Sequence, residues 1–233
     1  MELLPVLAIL GVAVGGLAQS VTGLGFALVA APGLIALLGP THGVSQAVLL
    51  GTLACILPLV RQWRHVRVRD GVTLLVPILV ATPIVAALIA DADTGALAVA
   101  AGIAVLIGVA ALWRGLSWAP LHSMPGTIAT GVASATMNVI GGVGGPPIGI
   151  HAANAGWPPD EVRGTLQAIF LVQGLATIAA IGLARPSPWM LLALAVGTLA
   201  GMRLAPLIPT AAARHAVLAV AAFGGIGLIV ANI

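Results

Sequence analysis

The stretch Gly141-Gly142-Val143-Gly144-Gly145-Pro146-Pro147, residues 141–147, lies in the middle of an apolar segment that runs from about residue 125 to 155. A shorter stretch, Thr22-Gly23-Leu24-Gly25, interrupts the apolar segment from about 3 to 38 in the same way. Both segments exceed the roughly 20 residues that a helix needs to cross a bilayer. Because glycine lowers helix propensity and proline lacks an N–H donor, we predict that each segment forms two half-helices around an irregular turn, a broken, V-shaped helix.

The rest of the chain is apolar as well. Its composition is 60% hydrophobic and 6% charged, with a mean hydropathy of +1.16. Such a chain cannot cover a water-soluble particle with polar groups, so the bilayer is its solvent. The remaining apolar segments lie at about 43–60, 71–90, 95–113, 162–183, 187–208 and 214–232. We predict an all-α, polytopic membrane helix bundle that forms a single membrane domain over residues 1–233.

The two broken segments open two similar halves. A shift of 119 residues superimposes glycines of the two breaks, two prolines and two polar positions: Gly23 on Gly142, Gly25 on Gly144, Pro40 on Pro159, and Gln46 on Thr165. The polar loops at Thr41-His42 and Asp160-Glu161 also align. We predict two repeats, at about 1–115 and 120–233. The alternative is the weak self-similarity of any chain rich in Ala, Gly and Leu.

Arginine placement predicts the orientation. Four arginines lie between the second and third apolar segments: Arg61, Arg64, Arg67 and Arg69. That loop is therefore cytoplasmic, and the loop with Asp91 and Asp93 lies outside. If each V-shaped helix returns to the side it entered, most arginines fall inside and each half crosses three times, which makes the repeats inverted. We prefer this arrangement of six crossings to one of eight, in a bacterial inner (plasma) membrane.

An irregular backbone at membrane depth persists only where protein or a water-filled cavity surrounds it, so two breaks imply one shared cavity. The N-termini of half-helices carry unpaired N–H groups and a partial positive charge, which suit an anion. The predicted substrate-binding residues come from both breaks and from the starts of the spans that follow: Gln19, Ser20, Thr22, Gly23, Gly25, Phe26, Thr136, Asn138, Gly141, Gly142, Gly144, Gly145, Gln46, Thr165 and Gln167. The alternative is helix packing through small residues.

Acidic residues are confined to ends and loops of the apolar segments: Glu2, Asp70, Asp91, Asp93, Asp160 and Glu161. The sequence therefore does not support proton or sodium coupling through a buried acid. It also fits a metal-ion permease poorly, because such a protein needs carboxylates within its spans. Cys55 is the one cysteine, which excludes disulfides and cysteine-based metal sites. Because no nucleophile and base occur at recognisable spacing around His151, we expect no enzyme, no catalytic residue and no cofactor. Arginines beside spans reflect topology, so we expect no nucleic-acid partner.

Several motifs carry a family resemblance: Gly15-Gly16 leading into the first break, Pro32, Gly131 leading into the second break, residues 157–165 (Trp-Pro-Pro-Asp-Glu-Val-Arg-Gly-Thr), and residues 197–204 (Gly-Thr-Leu-Ala-Gly-Met-Arg-Leu). With these motifs the chain resembles the sulfite exporter TauE/SafE family, also described as the toluene sulfonate uptake permease family. The resemblance implies transport of sulfur-containing anions such as sulfite or sulfonates, along a path formed by the duplicated broken segments.

We therefore predict an exporter of small sulfur-containing anions that works between the two breaks. A membrane potential, negative inside, drives a monovalent anion outward with roughly 2.3 kcal/mol per 100 mV, so no buried acid is needed. Two alternatives stay open: a membrane scaffold or assembly subunit, and a transporter of another small organic anion. The partners we expect are the small anion and the lipid bilayer, and a homodimer remains one option for assembly.

Overall fold

A computed structural model describes residues 3–115, 121 and 123–233; Glu2 and residues 116–119, where the predicted repeats meet, lie outside the described residues. The described part is a bundle of α-helices, with one 3-10 turn at Trp63–His65. The helices are α1 (Leu3–Thr22), α2 (Phe26–Gln62), α3 (Val68–Leu88), α4 (Thr94–Arg114), α5 (Met124–Gly141), α6 (Gly145–Asn154), α7 (Pro159–Ile181), α8 (Pro188–Leu204) and α9 (Thr210–Val230).

The bundle is that of a multi-pass membrane protein. In the part of the chain that the structure describes, six helices are long and apolar enough to cross a bilayer: α1, α2, α3, α4, α7 and α9. Large apolar side chains cover the outside of the bundle; Leu88 and Phe223, for example, are each 78% exposed. A water-soluble protein would bury such side chains, whereas hydrocarbon solvates them.

The helices break where the sequence predicts. Helix α1 ends at Thr22 and α2 begins at Phe26, with Gly23 at φ +80° and Gly25 at φ +148° between them. Helix α5 ends at Gly141 and α6 begins at Gly145, after Gly142 in the left-handed conformation at φ +69°. Residues with a Cβ rarely adopt these backbone conformations, which explains why glycine occupies both breaks.

Around the first break, α1 and the first part of α2 pack side by side in antiparallel order. A Cβ on Gly15 would lie 3.0 Å from the carbonyl oxygen of Phe26, and one on Gly11 would lie 3.9 Å from the Cα of Ala30. Early residues of α1 thus approach late residues of this part of α2. Small side chains allow the two backbones to lie this close.

The stretch Phe26–Gln62, labelled α2, consists of two helices that meet at Gly39, whose φ of +78° and ψ of +167° are not helical. The chain folds back sharply there, since a Cβ on Gly43 would lie 2.5 Å from the Cα of Ile35. The predicted interruption between the first two apolar segments is thus present, but it lies at Gly39, and Thr41 and His42 belong to the first turn of the helix that follows. Pro40 follows directly, and its fixed φ suits the first turn after the kink, where the missing N–H costs little.

The second part of α2 and α7 cross the centre of the bundle side by side and run antiparallel. A Cβ on Gly164, near the start of α7, would lie 2.9 Å from the carbonyl oxygen of Gln62 at the end of α2. At the other end of the pair, the Ser45 hydroxyl donates to the carbonyl oxygen of Gly182 at 2.7 Å. The pair therefore joins the two halves of the chain along the whole length of α7.

Helices α4 and α9 form a second antiparallel pair between the halves. A Cβ on Gly102, in the first half of α4, would lie only 2.8 Å from the carbonyl oxygen of Gly225 in the last turns of α9. At the opposite end, Arg214 donates a hydrogen bond from Nη2 to the carbonyl oxygen of Leu112. The end of α4 and the start of α9 thus lie on the same side of the bundle.

Helices α1 and α8 pack in parallel order through small residues. Gly197 lies against the backbone of Ala13, and one turn later a Cβ on Gly201 would lie 2.8 Å from the Cα of Leu17. Any side chain at these two glycines would push the helices apart. The small-residue motif at 197–204 is thus a helix-packing surface.

An ionic cluster connects the start of α3 with the start of α7. Arg67 contacts Asp70 at 2.5 Å and Glu161 at 2.7 Å, and its backbone N–H donates to the Thr165 hydroxyl at 2.9 Å. The hydrogen bond to Glu161, followed by the one to Asp70, raises the pKa of the Arg67 guanidinium above its ordinary value. The three side chains are substantially exposed, so the pairs add little stability.

Candidate functional site

Both helix breaks line one cavity of about 60 Å³, here called the central cavity. Gly25 and Phe26 contribute from the first break, and Gly142, Gly144 and Gly145 contribute from the second. The middle parts of α2 and α7 complete its wall. One buried water needs roughly 15 Å³ of such space, so the central cavity has room for a few waters or for one small anion.

Gln19 connects the first break to α7. Its side-chain amide donates to Gln167 Oε1 at 3.0 Å and to Cys55 Sγ at 3.5 Å, and its oxygen accepts from the Phe26 N–H at 3.2 Å. The Gln167 amide in turn donates to the carbonyl oxygen of Gly23 at 3.2 Å. Amide side chains thus form hydrogen bonds with the backbone at both ends of the break. Gln19 itself is buried, with 3% of its surface exposed.

A second polar network holds the other break. The Ser134 hydroxyl donates to the carbonyl oxygen of Gly144 at 2.7 Å and accepts from Gln173 Nε2 at 2.9 Å. The Asn138 amide donates to the Thr177 hydroxyl at 2.9 Å. Asn138 stands 119 residues after Gln19, which is the offset of the predicted repeat, and both residues carry an amide beside a break.

The half-helix N-termini offer fewer backbone donors than the sequence suggests. The N–H of Phe26 already donates to Gln19, and Pro146 and Pro147 at the start of α6 have no N–H. Polar side chains make up the rest of the polar lining: Gln19, Thr52, Asn138 and Gln173. The described lining of the central cavity therefore carries no formal charge, and an anion there would depend on dipoles and on the helix ends.

Seven predicted site residues lie together on the central cavity: Gln19, Gly25, Phe26, Asn138, Gly142, Gly144 and Gly145. Two more belong to the first break without lining this cavity. Gly23 contributes its carbonyl oxygen to Gln167. Thr22 bonds to the carbonyl oxygens of Ala18 and Leu24 and faces a different, larger cavity.

The other six lie elsewhere. The Ser20 hydroxyl donates to the Thr198 carbonyl at 3.2 Å between α1 and α8, and Thr136 bonds to its own helix at Val132. Gly141 lies against Ala101, Thr165 accepts from Arg67, Gln46 donates to the Arg185 carbonyl, and Gln167 bonds to Gln19 and Gly23. A role for these six in substrate binding stays a prediction.

Sequence reasoning missed Gln173, Ser134 and Thr52. Gln173 is 1% exposed and Ser134 is fully buried. Gln173 and Thr52 line the central cavity from α7 and α2. Gln173 carried a usable signal, because an amide in the middle of an apolar segment faces a protein interior far more often than lipid.

A multi-helix membrane bundle with a cavity between two broken helices is typical of membrane transporters. The family model described as sulfite exporter TauE/SafE matches residues 7–228, nearly the whole chain. The chain belongs to that family, which confirms the resemblance seen in its motifs. Comparisons with curated proteins and with solved structures give no match. The protein is thus a multi-pass membrane transporter of the sulfite and sulfonate type.

Proposed function

We propose that the protein exports small sulfur-containing anions, such as sulfite or organosulfonates, across a bacterial inner membrane through the central cavity. The observation that carries the proposal is that both glycine breaks, which lie far apart in sequence, line this one cavity. The glycines let an anion approach the backbone, and the amides of Gln19 and Asn138 stand beside it. A membrane potential, negative inside, supplies the outward driving force.

The same proposal includes two inverted repeats, at about 1–115 and 120–233, each opening with a re-entrant, V-shaped helix. The antiparallel order of α1 and the first part of α2 supports the re-entrant hairpin. Equivalent contacts support the repeat: Ala13 with Gly197 corresponds, within one residue, to Gly131 with Pro77 after the shift of 119. Helices α2 and α7 occupy equivalent positions and run antiparallel, as inversion requires.

The test is anion flux into or out of proteoliposomes under an imposed potential, with sulfite, a sulfonate, acetate and chloride compared. The informative variant is Gly145→Leu, because a Cβ there would lie 3.3 Å from Phe170 and the longer side chain would fill the central cavity. The matched control is Gly227→Leu on α9, where a Cβ meets nothing within 4 Å.

We expect saturable sulfite or sulfonate flux that follows the potential, is lost in Gly145→Leu and is retained in Gly227→Leu. Equal flux of acetate and chloride would contradict the substrate class and leave a broader anion transporter. If no anion moves through folded wild-type protein, the transport proposal fails and a scaffold role becomes the better explanation.

A further inference from the structure

The larger cavity, of about 300 Å³, lies where α4 ends and α9 begins, with α6 along one side. We call it the Arg214 cavity, after the arginine that lines it together with Thr22, Leu24, Asn154 and Val217. Its volume is five times that of the central cavity. A small organic anion with part of its water shell fits a space of this size.

Arg214 gives the Arg214 cavity a positive charge. One of its five N–H donors bonds to the carbonyl oxygen of Leu112 at the end of α4, which holds the guanidinium in place. Among the described residues, the ion pairs are those that Arg67 makes with Asp70 and Glu161, so no carboxylate neutralises Arg214. A lining arginine without an acidic partner attracts anions.

The Arg214 cavity and the central cavity are neighbours. Among the described lining residues, Leu24 of the first break is the one that the two share. Its Cβ would lie 3.7 Å from a Cβ on Gly145 in the central cavity, and its Cδ2 2.9 Å from one on Gly149 in the Arg214 cavity. The Leu24 side chain, on an irregular segment, thus lies between the two spaces.

The Arg214 cavity lies toward the cytoplasmic side of the bundle. Helices α3 and α4 have 21 residues each, enough for a full crossing, and are joined by a short turn. The end of α4 therefore lies on the same side as the start of α3, next to the arginine-rich segment at 61–69. That segment is cytoplasmic by the positive-inside rule.

We propose that the Arg214 cavity is the site where the anion first binds from the cytoplasm, with Arg214 as the binding charge and Leu24 as the barrier to the central cavity. This inference rests on the proposed export function, because it assigns the first step of that transport. It adds a charged binding site to a pathway whose central cavity has an uncharged described lining. The ligand class is a small sulfite- or sulfonate-like anion.

The first test does not depend on transport. In a Cys55→Ser background, Ala153→Cys places one thiol on the wall of the Arg214 cavity. Its reaction rates with an anionic and with a cationic methanethiosulfonate reagent of similar size are measured in detergent-solubilised protein. We expect the anionic-to-cationic rate ratio to fall about tenfold in Arg214→Gln and to change little in Arg214→Lys. In 1 M salt the difference should shrink, because screening shortens the range of the charge.

The matched control is Arg203→Gln, at the end of α8, which removes the same charge but lines neither cavity. An unchanged ratio in Arg214→Gln, or an equal fall in Arg203→Gln, overturns the proposal whether or not sulfite is transported. A selective fall supports it even if the wild-type protein carries no sulfite, in which case the export function alone fails.

The second test uses inside-out vesicles with sulfite on the cytoplasmic face. We expect Arg214→Gln to raise the KM for sulfite severalfold with little change in the maximal rate, and Arg203→Gln to leave both unchanged. Lost maximal rate with an unchanged KM in Arg214→Gln would contradict a binding role and indicate a structural one.

Discussion

At the scale of single residues, Gln19 does most to hold the site together. It reaches α7 through Gln167, contacts Cys55, and gives the first N–H of α2 an acceptor. All of these groups are buried, so replacing Gln19 removes a protein partner from each of them. An unpaired buried polar group costs about 1–3 kcal/mol, although membrane hydrogen bonds average only about 0.6 kcal/mol.

We therefore expect Gln19→Leu to lower the free energy of unfolding by about 1–3 kcal/mol. The matched control is Gln46→Leu, which removes one hydrogen bond, to the carbonyl oxygen of Arg185, and should cost about 0.6 kcal/mol. Thermal unfolding midpoints in one detergent provide the comparison. Equal shifts in the two variants would show that the Gln19 network contributes no more stability than one ordinary hydrogen bond.

Leu24 offers a second prediction at this scale. Shortening it in Leu24→Ala should connect the two cavities that it lines and raise the leak of chloride and acetate severalfold, because the barrier between them becomes smaller. Leu218→Ala is the matched control, since Leu218 lines only the Arg214 cavity. Proteoliposome flux measures both variants. A leak that rises equally in the two would locate the barrier elsewhere.

At the scale of helices, the sequence predicted where the helices break, but not which side chains of each helix face the central cavity. Consecutive glycines and prolines act on the backbone locally, so Gly23, Gly25 and Gly142 could be read directly as interruptions. The polar pair Thr41-His42 indicated a loop; the chain breaks two residues earlier, at Gly39, and the pair lies in the first turn of the helix that follows, because a helix end can carry exposed polar residues. Which amides face the cavity depends on helix rotation within the bundle, and single-residue chemistry does not encode that rotation.

The kink at Gly39 makes a prediction about α2. Its φ and ψ lie in a region that is nearly restricted to glycine, and a Cβ there would meet nothing within 4 Å. Gly39→Ala should therefore destabilise the protein by about 1–3 kcal/mol through backbone strain alone. Gly227→Ala, at an equally open but helical position of α9, should instead stabilise it by about 0.4–1 kcal/mol. If the thermal unfolding midpoint shifts in the same direction in both variants, relative to the wild-type protein, this explanation is contradicted.

At the scale of the whole molecule, the two halves of the chain pack through helices that the predicted repeat would make equivalent. Helix α2 lies on α7, and the contact of Ser45 with Gly182 corresponds, after the shift of 119 and within one residue, to that of Gly164 with Gln62. Contacts that map onto one another in this way are expected of two units related by a two-fold axis. The sequence predicted the repeat, whereas it did not predict the pairing of α1 with α8, because small residues permit close packing without specifying a partner.

Inverted repeats predict on which side of the membrane equivalent positions of the two halves lie. Thr41 and Asp160 are equivalent positions, 119 residues apart, and both are exposed. In a Cys55→Ser background, Thr41→Cys should react with a membrane-impermeant maleimide from outside the cell and Asp160→Cys from the cytoplasmic side, because inversion places equivalent loops on opposite faces. Right-side-out and inside-out vesicles distinguish the two, and labelling in detergent controls for reactivity. Labelling of both from one face would exclude inversion and require an even number of crossings between the two positions.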